Sequence, residues 1–357
     1  MGLRDFEPAC RRMEWLDPFY RRVWEKAFVE GTPISGTFEL TPRCNFNCKM
    51  CYVHLKSAQI PRYGRELTAR EWIRIAHEAW EEGTTWLCIT GGEPLLHPEF
   101  SVIWQELSQM GFFLALQTNA SLITGPIADL LERYPPWKAK VTLYGTSDQV
   151  YEATCGVTNG FERVNEGIHT LLGLGIPVQL VSTIIHPNEQ DLLNMAWYAQ
   201  CHGLSWLPTG SVKPSLRGAD TNVFDVRLEN KNRPVTSEQV EYFLQHPIDP
   251  NRKPCTYCKD YRVGYWITWN GEMRFCSFLN EPNIPVHELT FQRAWRELLC
   301  YEETLDWPEE CKTCSASTVC LKCAASLATL SGSVKHAPKS YCKSVQMLYK
   351  QKKGDLL

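Results

Sequence analysis

From Gly36 to about residue 210, short apolar runs alternate with amphipathic stretches. This rhythm constrains the fold more than any other feature of the chain. "GTFELT", "TWLCIT", "FFLALQTN", "KAKVTLYG", "PVQLVSTII" and "LSWLPTG" read as strands. Between them lie helical stretches such as "TAREWIRIAHEAWEEG", with Thr68 as its cap and Gly83 as its stop. Strands alternating with helices of about 10–15 residues imply parallel βαβ units. Six such units predict a partial (β/α)6 TIM-like barrel, short of the eight of a closed one. A helix opened by Asp17 and Pro18 and stopped by Gly31 precedes it.

After about residue 210 the rhythm stops. Residues 211–254 read as a bridge of loop and one helix, and "GYWITWNGEMRFCSF" as a hairpin turning at Asn270-Gly271. The rest is cysteine-rich with short helices. The expected division is an N-terminal helical segment (1–35), the partial barrel (36–210), the bridge (211–254), a cysteine-rich domain (255–345) and a tail (346–357).

The chain of 357 residues has a net charge of −3, which gives no strong pull toward nucleic acid or an anionic membrane. "MGLRDFEPACRRMEWLD" has no apolar signal region, and Gly173, Gly175 and Pro177 interrupt "LLGLGIPVQLVSTII", so a cytoplasmic protein is expected. Sixteen cysteines in such a compartment point to metal or redox chemistry instead of disulfides. Cys10, Cys88, Cys155, Cys201 and Cys300 are scattered and read as ordinary thiols.

The remaining cysteines cluster. Cys44, Cys48 and Cys51 are spaced C-x3-C-x2-C directly after the first strand, where barrels of βα units collect their chemistry. A structural metal site wants four ligands, whereas a catalytic one keeps a position open. Three thiolates on one loop suit three irons of a [4Fe–4S] cube. The competing reading is zinc with His54 as fourth ligand. The second strand ends in "ITGGEPLLHP". Gly91 and Gly92 permit close backbone approach to a ligand, Glu93 offers a carboxylate to an ammonium group, and Pro94 fixes the turn.

The three-cysteine loop followed by "GGEP" resembles the radical S-adenosylmethionine (SAM) enzymes. The resemblance implies that Cys44, Cys48 and Cys51 ligate a cluster whose fourth iron is chelated by SAM. It implies that Gly91, Gly92 and Glu93 hold the SAM amino group and that the backbone at Tyr52 meets the adenine. Met50 stands where the family often has an aromatic residue. Reductive cleavage of SAM would give a 5′-deoxyadenosyl radical that abstracts hydrogen from substrate. Polar residues at later strand ends, Thr118, Asn119, Thr142 and Ser182, are further candidates for SAM contacts, or else satisfied strand-end groups.

Eight cysteines form a C-terminal set: Cys255, Cys258, Cys276, Cys311, Cys314, Cys320, Cys323 and Cys342. By spacing alone two zinc sites fit. Their order resembles the SPASM extension of radical SAM enzymes, which implies two auxiliary [4Fe–4S] clusters and three clusters in all. By that resemblance Cys255, Cys258, Cys276 and Cys323 hold the nearer cluster, and Cys311, Cys314, Cys320 and Cys342 the farther. Cys320-x2-Cys323 is one residue short of the usual spacing, which leaves the division of these two open. The resemblance spans residues 36 to about 345.

SPASM proteins mostly modify ribosomal peptides. The expected function is oxidative modification of a peptide or protein side chain, such as a thioether or carbon–carbon crosslink. Either a separate peptide-recognition protein presents the substrate or the barrel recognises it directly, and an electron donor such as flavodoxin or ferredoxin is the other expected partner. The alternatives are a dehydrogenase or rearrangement enzyme acting on a small molecule, and a formylglycine-forming sulfatase maturase. Sulfatase maturases carry an aspartate after the third auxiliary cysteine, where this chain has Ser277. No base stands out among Tyr144, Asp148, Asp220 and Glu272. Trp86, Trp206, Trp266 and Trp269 lie near strand ends, where they would line an apolar groove or belong to the core.

Overall fold

The computed structural model describes residues 18–229, 235, 237–255 and 264–354. All six expected strands form: β1 (Ser35–Glu39), β2 (Trp86–Thr90), β3 (Phe113–Thr118), β4 (Lys138–Thr142), β5 (Val178–Thr183) and β6 (Ser205–Thr209). They pair in sequence order and all in parallel. Helices α1 (Pro18–Glu30), α2 (Ala69–Glu81), α3 (Phe100–Gln109), α4 (Pro126–Arg133), α5 (Asp148–Cys155), α6 (Gly160–Gly173) and α7 (Leu192–Cys201) accompany them. Thr68 caps α2 as expected, within a full capping box with Glu71. Helix α5 was not foreseen in the sequence reading.

Alternation along each strand divides the sheet into two faces. Phe38, Ile89, Leu116, Val141 and Leu180 are buried and share one core with Trp72, Ile75, Ile103 and Ile168 of the covering helices. The opposite positions, among them Thr37, Cys88, Gln117 and Lys140, are only half-buried. They face the hollow of the partial barrel.

The expected hairpin forms from β7 (Gly264–Ile267) and β8 (Glu272–Arg274), with Gly271 at φ +82°. It does not stand apart. Strand β7 pairs in parallel with β1, so the sheet runs β6-β5-β4-β3-β2-β1-β7-β8-β9, ending at β9 (Ile284–Pro285). The sheet therefore continues across the boundary expected at residue 255. The remainder is helical: α8 (Ser237–Gln245), α9 (Phe291–Thr304), α10 (Glu309–Lys312), α11 (Ala324–Ser331) and α12 (Lys339–Gly354). Helix α12 passes through residue 345, so the tail expected from 346 is a continuation of the helix that carries Cys342. Val345 joins Val240 and Phe243 of α8 in a second core.

Candidate active site

The loop after β1 carries Cys44, Cys48 and Cys51 at the C-terminal edge of the sheet. It is held from three sides. Asn47 and Lys49 donate their backbone N–H groups to the carbonyls of Cys155 (2.9 Å) and Thr154 (3.0 Å) at the end of α5. Helix α5 thus supplies orphan C-terminal carbonyls as a platform. On the second side, Asn45 donates to Ser121 Oγ (2.8 Å) and accepts from Asn119 Nδ2 (2.9 Å), which binds the loop to the end of β3. On the third side lies "GGEP".

The N–H groups of Gly92 and Glu93 donate to the carbonyls of Thr41 (2.7 Å) and Arg43 (2.8 Å). A β-carbon on Gly91 would lie 2.8 Å from Thr41 O, and one on Gly92 would lie 2.4 Å from Arg43 O. The two glycines are therefore required by the cysteine loop, which lies directly over them. The sequence reading attributed them to ligand approach alone.

Glu93 is fully buried. Its carboxylate accepts from Thr118 Oγ1 (2.7 Å), Asn119 N (2.8 Å) and Leu95 N (3.2 Å). The side chain is a strut between β2 and β3, and burial pushes its carboxyl up to about 7 against those three donors. Pro94 opens a short 3-10 turn behind it. Thr118 also accepts from Ala120 N (2.9 Å), and Asn119 Oδ1 from Ser121. Thr142 stays half-buried at the end of β4.

Ser182 is a correction. It shares the helix-facing side of β5 with Val178 and Leu180. Its hydroxyl donates to Leu143 O, accepts from Trp206 Nε1 (2.8 Å) and packs against Met195 of α7. It points away from the hollow, and its hydrogen bonds are made within the protein.

The segment after β6, read from sequence as a bridge, clamps the cysteine loop. Thr221 Oγ1 donates to Cys51 O (2.8 Å) and Ser215 Oγ to Tyr52 O (2.8 Å). Arg217 donates through both terminal nitrogens to Glu39 at the end of β1 (2.6 and 2.8 Å), and through Nε to Ser277 O (3.2 Å). Trp266 Nε1 adds a third donor to Glu39 (3.2 Å). The guanidinium also lies over the Tyr52 ring at 5.8 Å, and Phe278 packs on that ring at 4.6 Å. One cation thereby joins β1, the residue after Cys51 and the residue after Cys276.

The donor set fits a metal cluster. Burial pushes the Cys44 thiol well above its usual range, with the neighbouring Cys48 adding to the effect. Cys48 is raised by its hydrogen bond with Cys155 and by burial, and Cys51 by burial and Cys48 to about 11. Three crowded, half-buried sulfurs are costly as thiolates without a compensating cation, which iron would supply. His54 meets Cys51 through its backbone N–H (3.3 Å to Sγ).

Of the candidate bases, Asp148 accepts from the amides of Phe161 (2.9 Å) and Glu162 (3.4 Å) and so caps α6. Glu272 pairs with Arg274. Asp220 is exposed, and Tyr144 packs, as Cys48 does, against the buried group of Met50, Ile185, Val212 and Val223, with its phenol raised by burial.

In the C-terminal region Cys311, Cys314, Cys320 and Cys342 line one cavity of ≈ 380 Å³ with Glu310 and Lys322. They come from α10, the following loop and α12. Burial raises the Cys320 thiol to about 12, and Cys311, Cys314 and Cys342 add to that rise. Cys323 does not line this cavity and sits in the main core with Cys255 and Cys276. Cys258 lies outside the described residues.

Residues 38–196 match the model of the radical SAM superfamily. Over that stretch the chain is similar to the radical SAM superfamily. That match points to SAM and one [4Fe–4S] cluster as cofactors, and to an enzymatic role. The chain is 23% identical to an AdoMet-dependent heme synthase of Oleidesulfovibrio alaskensis, over 93% of this chain and 87% of that protein. It is 27% identical to the antilisterial bacteriocin subtilosin biosynthesis protein AlbA of Bacillus subtilis, over 46% and 36%. The structure of Streptococcus suis SuiB bound to precursor peptide SuiA superposes with a TM-score of 0.63 at 15% identity, covering 92% of this chain and 82% of that one. This likeness extends the shared fold past the barrel into the cysteine-rich region. No helix among the described residues is long and apolar enough to cross a membrane.

Proposed function

We propose that this chain is an oxidative radical SAM enzyme that modifies a side chain of a ribosomally made peptide, forming a thioether or carbon–carbon crosslink. The observation that carries the reading is the second cysteine site. Four cysteines from separate segments around one cavity supply a closed ligand set for an auxiliary [4Fe–4S] cluster, in contrast to the three of the loop after β1. A net oxidation needs an acceptor for the electron left on the substrate, and auxiliary clusters provide one. Cys255, Cys258, Cys276 and Cys323 are assigned to the other auxiliary cluster. The cavity lining supports placing Cys320 with the farther cluster and Cys323 with the nearer one.

Bound at Cys44, Cys48 and Cys51, a cluster with SAM supplies a 5′-deoxyadenosyl radical when reduced. The protein's own part is positional. Gly91 and Gly92 admit the cysteine loop, Glu93 locks the ends of β2 and β3, and Arg217 ties that loop to Cys276's neighbour. Thr142 and the backbone of Tyr52 and Asn119 remain as candidate SAM contacts. The likeness to SuiB and AlbA supports a peptide substrate. Ser277 offers no carboxylate base for the formylglycine reaction, and its carbonyl is engaged by Arg217. A separate recognition protein and a flavodoxin or ferredoxin donor complete the proposed system.

The second reading is oxidation of a small molecule, favoured by the match to heme synthase along nearly the whole chain. Reduced protein, SAM and a peptide encoded beside the gene should yield a peptide lighter by about two mass units, the loss of two hydrogens. An unchanged peptide alongside an oxidised small molecule would select the second reading.

A further inference from the structure

Between Cys311 and Gly354 the sequence has eight lysines and no Asp, Glu or Arg, in a chain whose net charge is −3. Such a one-sided segment is the footprint of an acidic partner. The structure gathers part of it on one helix face. Along α12, Lys339, Lys343, Gln346, Lys350 and Lys353 recur at i, i+4, i+7, i+11 and i+14, so at 3.6 residues per turn they fall on one side. All five are exposed, while Tyr341 and Val345 on the opposite side are buried. At 1.5 Å per residue the row is ~21 Å long.

Acids on the neighbouring helices are engaged elsewhere. Glu241 of α8 accepts from Lys352, Glu309 of α10 pairs with Lys312 (2.7 Å), and Glu310 accepts from Ala337 N (3.1 Å). Met347 is 62% exposed and lies one turn from both Lys343 and Lys350. An apolar spot inside a charged rim is the anatomy of a protein docking surface. The row also borders the second cysteine site. Lys339 and Gln346 line the same cavity as Cys311, Cys314, Cys320 and Cys342. Gln346 Nε2 donates to Cys314 Sγ (3.8 Å). A partner seated on this face lies against the cluster assigned there, a position that serves electron transfer and gives nucleic acid or membrane no advantage.

We propose that this face of α12 docks an acidic one-electron carrier protein of the flavodoxin class, which in its oxidised form takes up the electron that substrate oxidation leaves on the farther cluster. The cluster loses one electron and the carrier's flavin gains it. The proposal deepens the oxidative reading above and rests on its four-cysteine cluster. Electron-transfer complexes bury little surface and are drawn together by charge, so the exposed lysines set the association rate.

The test mixes reduced, iron-loaded full chain with oxidised flavodoxin by stopped flow and follows flavin reduction at low and at physiological salt. Lys343→Glu/Lys350→Glu should slow the second-order rate roughly tenfold or more at low salt, and Lys343→Gln/Lys350→Gln should slow it less. Salt should slow the wild type more than the Glu variant. Both variants should keep wild-type iron content and wild-type rates of reduction by dithionite, which needs no docking. An unchanged flavodoxin rate in the Glu variant overturns the proposal. If that variant instead loses binding of single-stranded RNA or phosphatidylserine vesicles with its flavodoxin rate intact, the face belongs to nucleic acid or membrane. No substrate enters these measurements, so a failure to modify any peptide would leave them unaffected and the two readings fail separately.

Discussion

Replacing Arg217 by methionine tests whether the segment after β6 holds the site together. Glu39 is fully buried, and the Arg217 side chain is 10% exposed. The substitution leaves a buried carboxylate that still accepts from Trp266 Nε1, at 3.2 Å. Breaking a buried pair by removing one partner costs about 3–5 kcal/mol. At about 2 °C per kcal/mol for a chain of this size, Tm should fall by roughly 6–10 °C. Glu39→Gln combined with Arg217→Met removes both charges and should recover more than half of that loss. The assay is thermal unfolding of iron-free protein by circular dichroism, for both single variants and the double. An unchanged Tm in Arg217→Met would refute the reasoning, as would losses in the double variant that simply add.

Gly92→Ala sets a β-carbon against Arg43 O and should displace the cysteine loop, lowering reconstituted iron by about four per chain. Iron and sulfide analysis reads this out. Glu93, raised to about 7 in the fold, binds a proton more tightly there than in the unfolded chain, where its value is near 4.5. Its contribution is therefore fully present below pH ~4.5 and is lost as pH rises through ~7. Glu93→Gln should flatten that fall in denaturant midpoint, and an unchanged slope would remove Glu93 as its source. Cys342→Ala should cost about four irons while the Cys44/Cys48/Cys51 cluster still cleaves SAM, as 5′-deoxyadenosine measurement would show.

The strand–helix rhythm made the barrel legible because period-two and period-3.6 patterns report burial directly. The placement of β7 beside β1 was not legible, since parallel pairing across more than two hundred residues leaves no local mark. Helix α5 escaped because eight residues with modest apolar content sit inside a polar connection. Parity would have corrected Ser182, which shares the buried side of β5 with Val178 and Leu180. The glycines of "GGEP" were readable as a close approach, but their partner, the carbonyl of Arg43, emerges only when two loops meet in space. Arg217 gave no signal at all. It lies in an irregular stretch, and its partner Glu39 is a strand residue far away in sequence.

The central claim is hydrogen abstraction from a bound substrate by a radical generated over the Cys44/Cys48/Cys51 loop. The most direct measurement supplies reduced, iron-loaded protein with SAM and a perdeuterated candidate peptide, and reads the mass of the 5′-deoxyadenosine released. The account predicts 5′-deoxyadenosine heavier by about one mass unit, in step with loss of two deuterons from the peptide. Unlabelled 5′-deoxyadenosine formed beside a fully modified peptide would contradict it.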